Sequence, residues 1–107
     1  MSLERDFQAS LIKEIKLIFP GCIVMKNDAN YIQGIPDLTI LYKDKWAALE
    51  CKKSMKASHR PNQEFYISEM NKMSYAAFIC PENRKEILDD LQQALEPDRA
   101  TCFSGSK

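Results

Sequence analysis

The sequence of 107 residues carries no net charge, since fifteen Lys and Arg offset fifteen Asp and Glu. A chain that holds nucleic acid by bulk electrostatics is strongly basic, so that class is excluded. Its four cysteines contain no Cys-x-x-Cys pair, and its one histidine, His59, has no cysteine close to it. This excludes the common structural zinc sites. The chain also lacks a charged-then-apolar leader and any apolar run near the ~18 residues of a membrane helix. Neither secretion nor a membrane span is therefore expected. Repeats and low-complexity tracts are missing too, and the length suits one domain rather than two.

What is present is unevenly spread. Between Lys43 and Arg60 stand six basic residues, Lys43, Lys45, Lys52, Lys53, Lys56 and Arg60, against Asp44 and Glu50. From Glu82 onward acidic residues outnumber basic ones, six to four. A phosphate-facing region would thus be local and centred mid-chain. Cys22, Cys51 and Cys80 follow or sit within apolar runs, where cysteine behaves as a small hydrophobe. They read as free thiols in a reducing cytosol.

Periodicity divides the chain further. Leu3, Phe7, Leu11, Ile15 and Ile18, widened by Ile12 and Phe19, form a helical stripe over residues 2–19, with Ser2 as cap and Pro20-Gly21 as stop. Cys22 to Met25 is a short strand, and 27–36 is a turn-rich loop. Leu38 to Tyr42 and Trp46 to Lys52 form a hairpin about Lys43-Asp44-Lys45. Residues 53–60 are aperiodic and form a mobile loop. Pro61 opens a second helix running to Met73. Tyr75 to Cys80 is nearly all apolar and is expected inside the sheet. Ile87, Leu88, Leu91 and Leu95 are the stripe of a last helix over 82–95. The prediction is an α/β fold, a small mixed β-sheet flanked by helices in the order α-β-β-β-α-β-α. It occupies residues 1–96, with 97–107 a flexible tail.

One constellation carries chemistry. Glu50 and Lys52 are two apart on a strand, so they share a face, while Ala47, Leu49 and Cys51 line the other. Asp37 opens the preceding strand within Gly34-Ile35-Pro36-Asp37-Leu38, and a hairpin brings it near Glu50. Two adjacent carboxylates repel, and one tends to keep its proton. A hard divalent cation resolves that conflict. Magnesium takes one or two protein carboxylates together with water and phosphate oxygens, polarises a phosphoryl oxygen and acidifies a bound water. Lys52 would orient that water or neutralise developing charge. The competing reading makes Asp37 a turn residue and Glu50 with Lys52 a surface ion pair.

The Asp37…Glu50-Cys51-Lys52 pattern resembles the PD-(D/E)xK nuclease superfamily, whose core is restriction-endonuclease-like. Within it, the chain is most similar to stand-alone VRR-NUC domains of phages and bacteria, and also to Holliday junction resolvases. The resemblance spans about residues 3–95. It includes Leu3-Glu4-Arg5-Asp6-Phe7-Gln8, Gly34-Ile35-Pro36-Asp37-Leu38, Leu49-Glu50-Cys51-Lys52, Arg60-Pro61-Asn62-Gln63 and Tyr75-Ala76-Ala77-Phe78. The chain departs from the family at Ser74-Tyr75, where a glycine is common, and at Cys51, where valine is common.

The resemblance implies that Asp37, Glu50, the Cys51 backbone carbonyl and Glu4 hold Mg2+ or Mn2+. Lys52 matches the catalytic lysine, and Gln63 a helix glutamine pointing to the site. Glu14 stands as a rival to Glu4 on the same helix. Lys26, Lys53, Lys56, His59 and Arg60 form a candidate clamp for DNA phosphates, with a solvated loop as the plainer reading. Trp46 and Tyr66 fit core or interface better than base stacking.

The expected activity is a metal-dependent DNA endonuclease, selective for branched DNA such as Holliday junctions. It would act as a homodimer, because two strands require two sites, and in the cytoplasm, that of a bacterial host if phage-encoded. About 100 residues leave little surface for reading base edges. The alternatives are a site-specific homing or restriction-like endonuclease, and a non-catalytic DNA-binding module of the same fold.

Overall fold

A computed structural model describes residues 3–97. Ser2, Cys102 and the expected tail apart from Pro97 lie outside the described residues. The elements are α1 (Leu3–Ile18), β1 (Ile23–Lys26), β2 (Leu38–Tyr42), β3 (Lys45–Cys51), α2 (Pro61–Met73), β4 (Tyr75–Ile79) and α3 (Arg84–Leu95). They follow the expected order and form an α/β fold around one mixed sheet of four strands. Strand order in the sheet is the chain order, β1-β2-β3-β4. The first two pairings are antiparallel, and β3 with β4 is parallel across the α2 crossover. No helix among the described residues is long and apolar enough to cross a membrane.

The sheet has two unlike faces. On one, Leu38, Ile40, Tyr42, Ala47, Leu49, Cys51 and Ile79 join Phe7, Leu11, Ile15 and Phe19 of the α1 stripe and Leu88, Leu91 and Leu95 of α3 in a single core. Each large aliphatic side chain buried there stabilises the fold by roughly 2 kcal/mol. Helix α1 stops where Pro20 and Gly21 stop it, with Gly21 at φ 89°, and the Cys22 N–H returns to the Phe19 carbonyl at 3.0 Å. Glu14 and Arg84 lock α1 to α3 through an Nε to Oε1 bond of 2.7 Å. Arg84 also lies over the Phe7 ring, 5.5 Å from its centroid.

The opposite face holds Glu50 and, by register, Thr39, Ala48, Ala76 and Phe78. Helix α2 covers its β3–β4 half and buries none of its own residues. Ile23 and Met25 of β1 lie on this face, 58% and 41% exposed.

The structure differs from the sequence reading in the place of one strand and in several element ends. Strand β4 is an edge strand of the described sheet, not an interior one. Its apolar character comes from helices on both faces, α2 and α3, rather than from strands on both sides. Strand β3 begins at Lys45, which pairs with Tyr42 across a two-residue turn, and Lys43 takes φ 56° to close it. Strand β1 is shifted by one residue to Ile23–Lys26. The last helix begins at Arg84, because Pro81–Asn83 form a 3-10 turn. Asn83 holds that turn, accepting the Cys80 N–H at 2.8 Å and donating to the Phe78 carbonyl at 3.2 Å.

Gly34 ties the 27–36 loop to α2. Its φ is +92°, and an added Cβ would overlap the Asn62 Cβ and come within 2.9 Å of the Asn62 backbone carbonyl carbon. Gly34→Ala therefore meets both backbone strain and a clash with a helix backbone. We expect it to lower unfolding free energy by about 1–3 kcal/mol, read as a lower urea midpoint. An unchanged midpoint would show that the loop does not seat on α2.

Candidate active site

Asp37 and Glu50 are interlocked through backbone N–H groups across the hairpin. The Asp37 N–H donates to Glu50 Oε1 at 3.1 Å, and the Cys51 N–H donates to Asp37 Oδ2 at 2.9 Å. Asp37 lies one residue before β2, and Leu38 pairs with Leu49 of β3, so the hairpin register sets this exchange. The preceding loop is held from β1 by Asn27. Its N–H donates to the Asp37 carbonyl at 2.8 Å, and its side chain donates to the Pro36 carbonyl at 2.9 Å and to Thr39 Oγ1 at 2.8 Å. Sequence reasoning missed Asn27; its place at the end of a strand facing a Pro-Asp turn was the available signal.

Gln63 bridges the other side of Glu50. Its Nε2 donates to Glu50 Oε2 at 2.9 Å, and its Oε1 accepts from Lys52 Nζ at 2.7 Å and from the Arg60 N–H at 3.1 Å. The last bond is the backward half of a capping box, with Gln63 as the third residue of α2. One side chain thus starts the helix and positions two site residues. Lys52 Nζ stands 4.0 Å from Glu50 Oε2. Although Lys52 lies just past β3, its N–H donates to the Ile79 carbonyl at 2.8 Å, which keeps it on the Glu50 face. Ala29, Gln33, Gly34, Arg60 and Asn62 join Asp37, Glu50 and Gln63 around a cleft of about 110 Å³.

Glu50 is the one buried polar or charged side chain among the described residues. Burial first, then the Asp37 charge, push its pKa up to about 7, against the lowering influence of Lys52. Burial also raises Asp37, opposed by the Cys51 N–H and by Lys52. The Cys51 thiol, on the core face, is pushed up to about 12, mainly by burial and then by Asp37. It stays protonated near neutral pH, and as a fully buried core side chain it packs as a small hydrophobe. Among the described residues no three His, Cys, Asp or Glu side chains group closely enough to hold a metal by themselves. Glu4 is therefore not gathered into a three-ligand set with Asp37 and Glu50. Its charge is still felt by both Glu50 and Cys51, whereas Glu14 is engaged with Arg84.

The basic residues are placed unevenly. Lys53, Lys56 and Arg60 are exposed around the segment after β3. That segment has an internal turn, Ala57 N–H to Ser54 carbonyl at 3.2 Å. The His59 ring stacks on Phe78 at 3.8 Å, and its Nδ1 lies 3.5 Å from Glu64. These contacts give His59 an anchoring part in a loop that periodicity alone read as mobile. Lys26 is exposed beside Leu38, on the core face rather than the Glu50 face. Trp46 and Tyr66 are half-buried. The Ser74 hydroxyl donates to the Trp46 carbonyl and joins the end of α2 to β3.

A solved structure described as a "VRR_NUC domain protein" superposes with a TM-score of 0.61 at 18% identity, covering 90% of both chains. The fold is that of a VRR-NUC domain. No protein-family model matches the sequence, and no curated protein matches it. In this fold, the strand pair and α2 gather Asp37, Glu50 and Gln63 around one cleft, and Gln63 holds Lys52 beside them.

A carboxylate raised from its ordinary 4.5 to about 7 binds more protons folded than unfolded between those values. That stability is fully present below pH 4.5 and is lost as pH rises through about 7. Chelator-treated protein should lose roughly 3 kcal/mol across this window, with Asp37 acting in the same direction. Thermal melts at pH 5 and pH 8 check this, and Glu50→Gln should flatten most of the slope. A wild-type melting temperature that rises over this window would refute the assignment.

Proposed function

We propose that this protein is a Mg2+- or Mn2+-dependent endonuclease that hydrolyses phosphodiester bonds in DNA, selectively in branched duplexes. The observation that carries the reading is the Asp37–Glu50 pair, two inward carboxylates that burial drives toward protonation, Glu50 further by the Asp37 charge. A binding module has no need of such a pair, whereas a hard cation relieves it. The donor set fits. Two carboxylates, with the Cys51 backbone carbonyl as a proposed third oxygen donor, suit a magnesium ion completed by water and phosphate oxygens, and Glu4 adds negative charge from α1. When bound, the ion polarises the phosphoryl oxygen and lowers the pKa of water.

The protein's own residues do the rest. Asp37 and Glu50 are pre-positioned by backbone N–H groups, so no strand has to move to present them. Gln63 holds Lys52 Nζ beside Glu50, where it orients the attacking water or offsets charge developing on the phosphate. Lys53, Lys56 and Arg60 would contact flanking phosphates, with His59 fixing their loop. Cutting both strands of a junction calls for two copies. The uncovered apolar half-face at Ile23 and Met25 is a surface that a homodimer would cover.

Wild-type protein with Mg2+ should cut four-way junctions faster than linear duplex and elute as a dimer. Asp37→Asn should abolish cutting, and Gln63→Ala should slow it by about 10- to 100-fold. Added Mg2+ should raise the melting temperature at pH 8 in wild type but not in Asp37→Asn. Junction binding without cutting or metal response would instead favour the non-catalytic module, and reproducible cutting at one locus of a linear plasmid the site-specific enzyme.

A further inference from the structure

The loop between β1 and β2 carries a second feature beside the cleft. Tyr31 is 85% exposed at its tip, yet the backbone beneath it is ordered. The Tyr31 and Ile32 N–H groups both donate to the Asp28 carbonyl, at 3.0 and 3.3 Å, and the Ile35 N–H donates to the Ile32 carbonyl at 3.2 Å. The loop's two ends are held by the Asn27 bonds and by Gly34 against Asn62. A large ring left in water on a hydrogen-bonded loop can take a partner without ordering the backbone beneath it.

Behind Tyr31 lies a hollow of about 220 Å³, lined by Ile32, Ile35 and Met70 with Asn27, Asp28 and Thr39 at its polar side. No Lys or Arg lines it, so it does not suit a phosphate. Its apolar wall suits a ring, and Asp28 offers a carboxylate oxygen to an exocyclic base amine. Ile35 lines both this hollow and the cleft of Asp37 and Glu50. Tyr31 precedes Gly34 by three residues, at most about 11 Å of chain, or some three stacked nucleotides.

We propose that Tyr31 and this hollow form a stacking subsite for one unpaired base of the DNA strand whose phosphate occupies the Asp37–Glu50 cleft. The proposal rests on the nuclease reading above and adds a reason for structure selectivity within one subunit. A base inside a continuous duplex has both faces stacked and cannot reach Tyr31, whereas one at a branch point, bulge or frayed end can. Base–aromatic stacking tolerates any base, so the subsite reads unpairing rather than sequence.

The test is fluorescence anisotropy in EDTA with two labelled duplexes. One carries a single unpaired thymine, and the other an abasic residue at that position. Wild type should bind the thymine duplex about tenfold more tightly, within the range base–aromatic stacking supplies. Tyr31→Ala should bind both equally, while Tyr31→Phe and Tyr31→Trp keep the preference. Equal binding by wild type, or a preference that survives in Tyr31→Ala, would overturn the subsite. Asp37→Asn should keep the base preference, so cutting by wild type in Mg2+ tests the nuclease reading separately. Tyr31 is exposed, so its variants should fold.

Discussion

Everything at the site depends on the reciprocal hydrogen bonding of Asp37 and Glu50. Each carboxylate accepts an N–H from the strand that carries, or adjoins, the other. The geometry therefore holds only in the observed β2–β3 register, with Leu38 opposite Leu49. A slip of one residue would send Glu50 into the core and Leu49 to the cleft. The apolar face that stabilises the sheet thus also aims the site, and core packing and site geometry are one constraint.

That constraint has a cost, which falls on Glu50. A buried carboxylate beside a second one is unfavourable without a compensating charge. Lys52 compensates only in part, since Gln63 stands between its Nζ and the nearer oxygen and the direct separation is 4.0 Å. A fold that only needed stability would pair the two directly. Holding the amine off the acid leaves both groups available to a third participant.

The two faces of the sheet divide the labour. Helices α1 and α3 share one core with the sheet, and their role is packing. Helix α2 buries none of its own residues and exposes Phe65 and Met73, so its place is set as much by polar contacts as by burial. Gln63 to Glu50 and Lys52, Asn62 under Gly34, and Ser74 to Trp46 are those contacts. The cleft consequently lies between a rigid layer and a lightly packed one.

The sequence alone determined the order of elements, because helical stripes, alternating strands and Pro-Gly stops are local signals. It also determined that Glu50 and Lys52 face one way and Cys51 the other, since strand period is a backbone property. The order was readable even where ends slipped, as at Pro81–Asn83, where the Asn83 side chain competes with the helix for backbone groups. Only the tertiary structure decided that Tyr75–Ile79 is an edge strand, because helices on both faces make an edge strand as apolar as a central one. It alone decided that Asn27 fastens the Asp37 loop and that Gln63 bridges Lys52 and Glu50. It likewise engaged Glu14 with Arg84 and left Glu4 near the site. Those are contacts between residues nine to seventy positions apart. Their partners are chosen by register and packing, which no local pattern encodes.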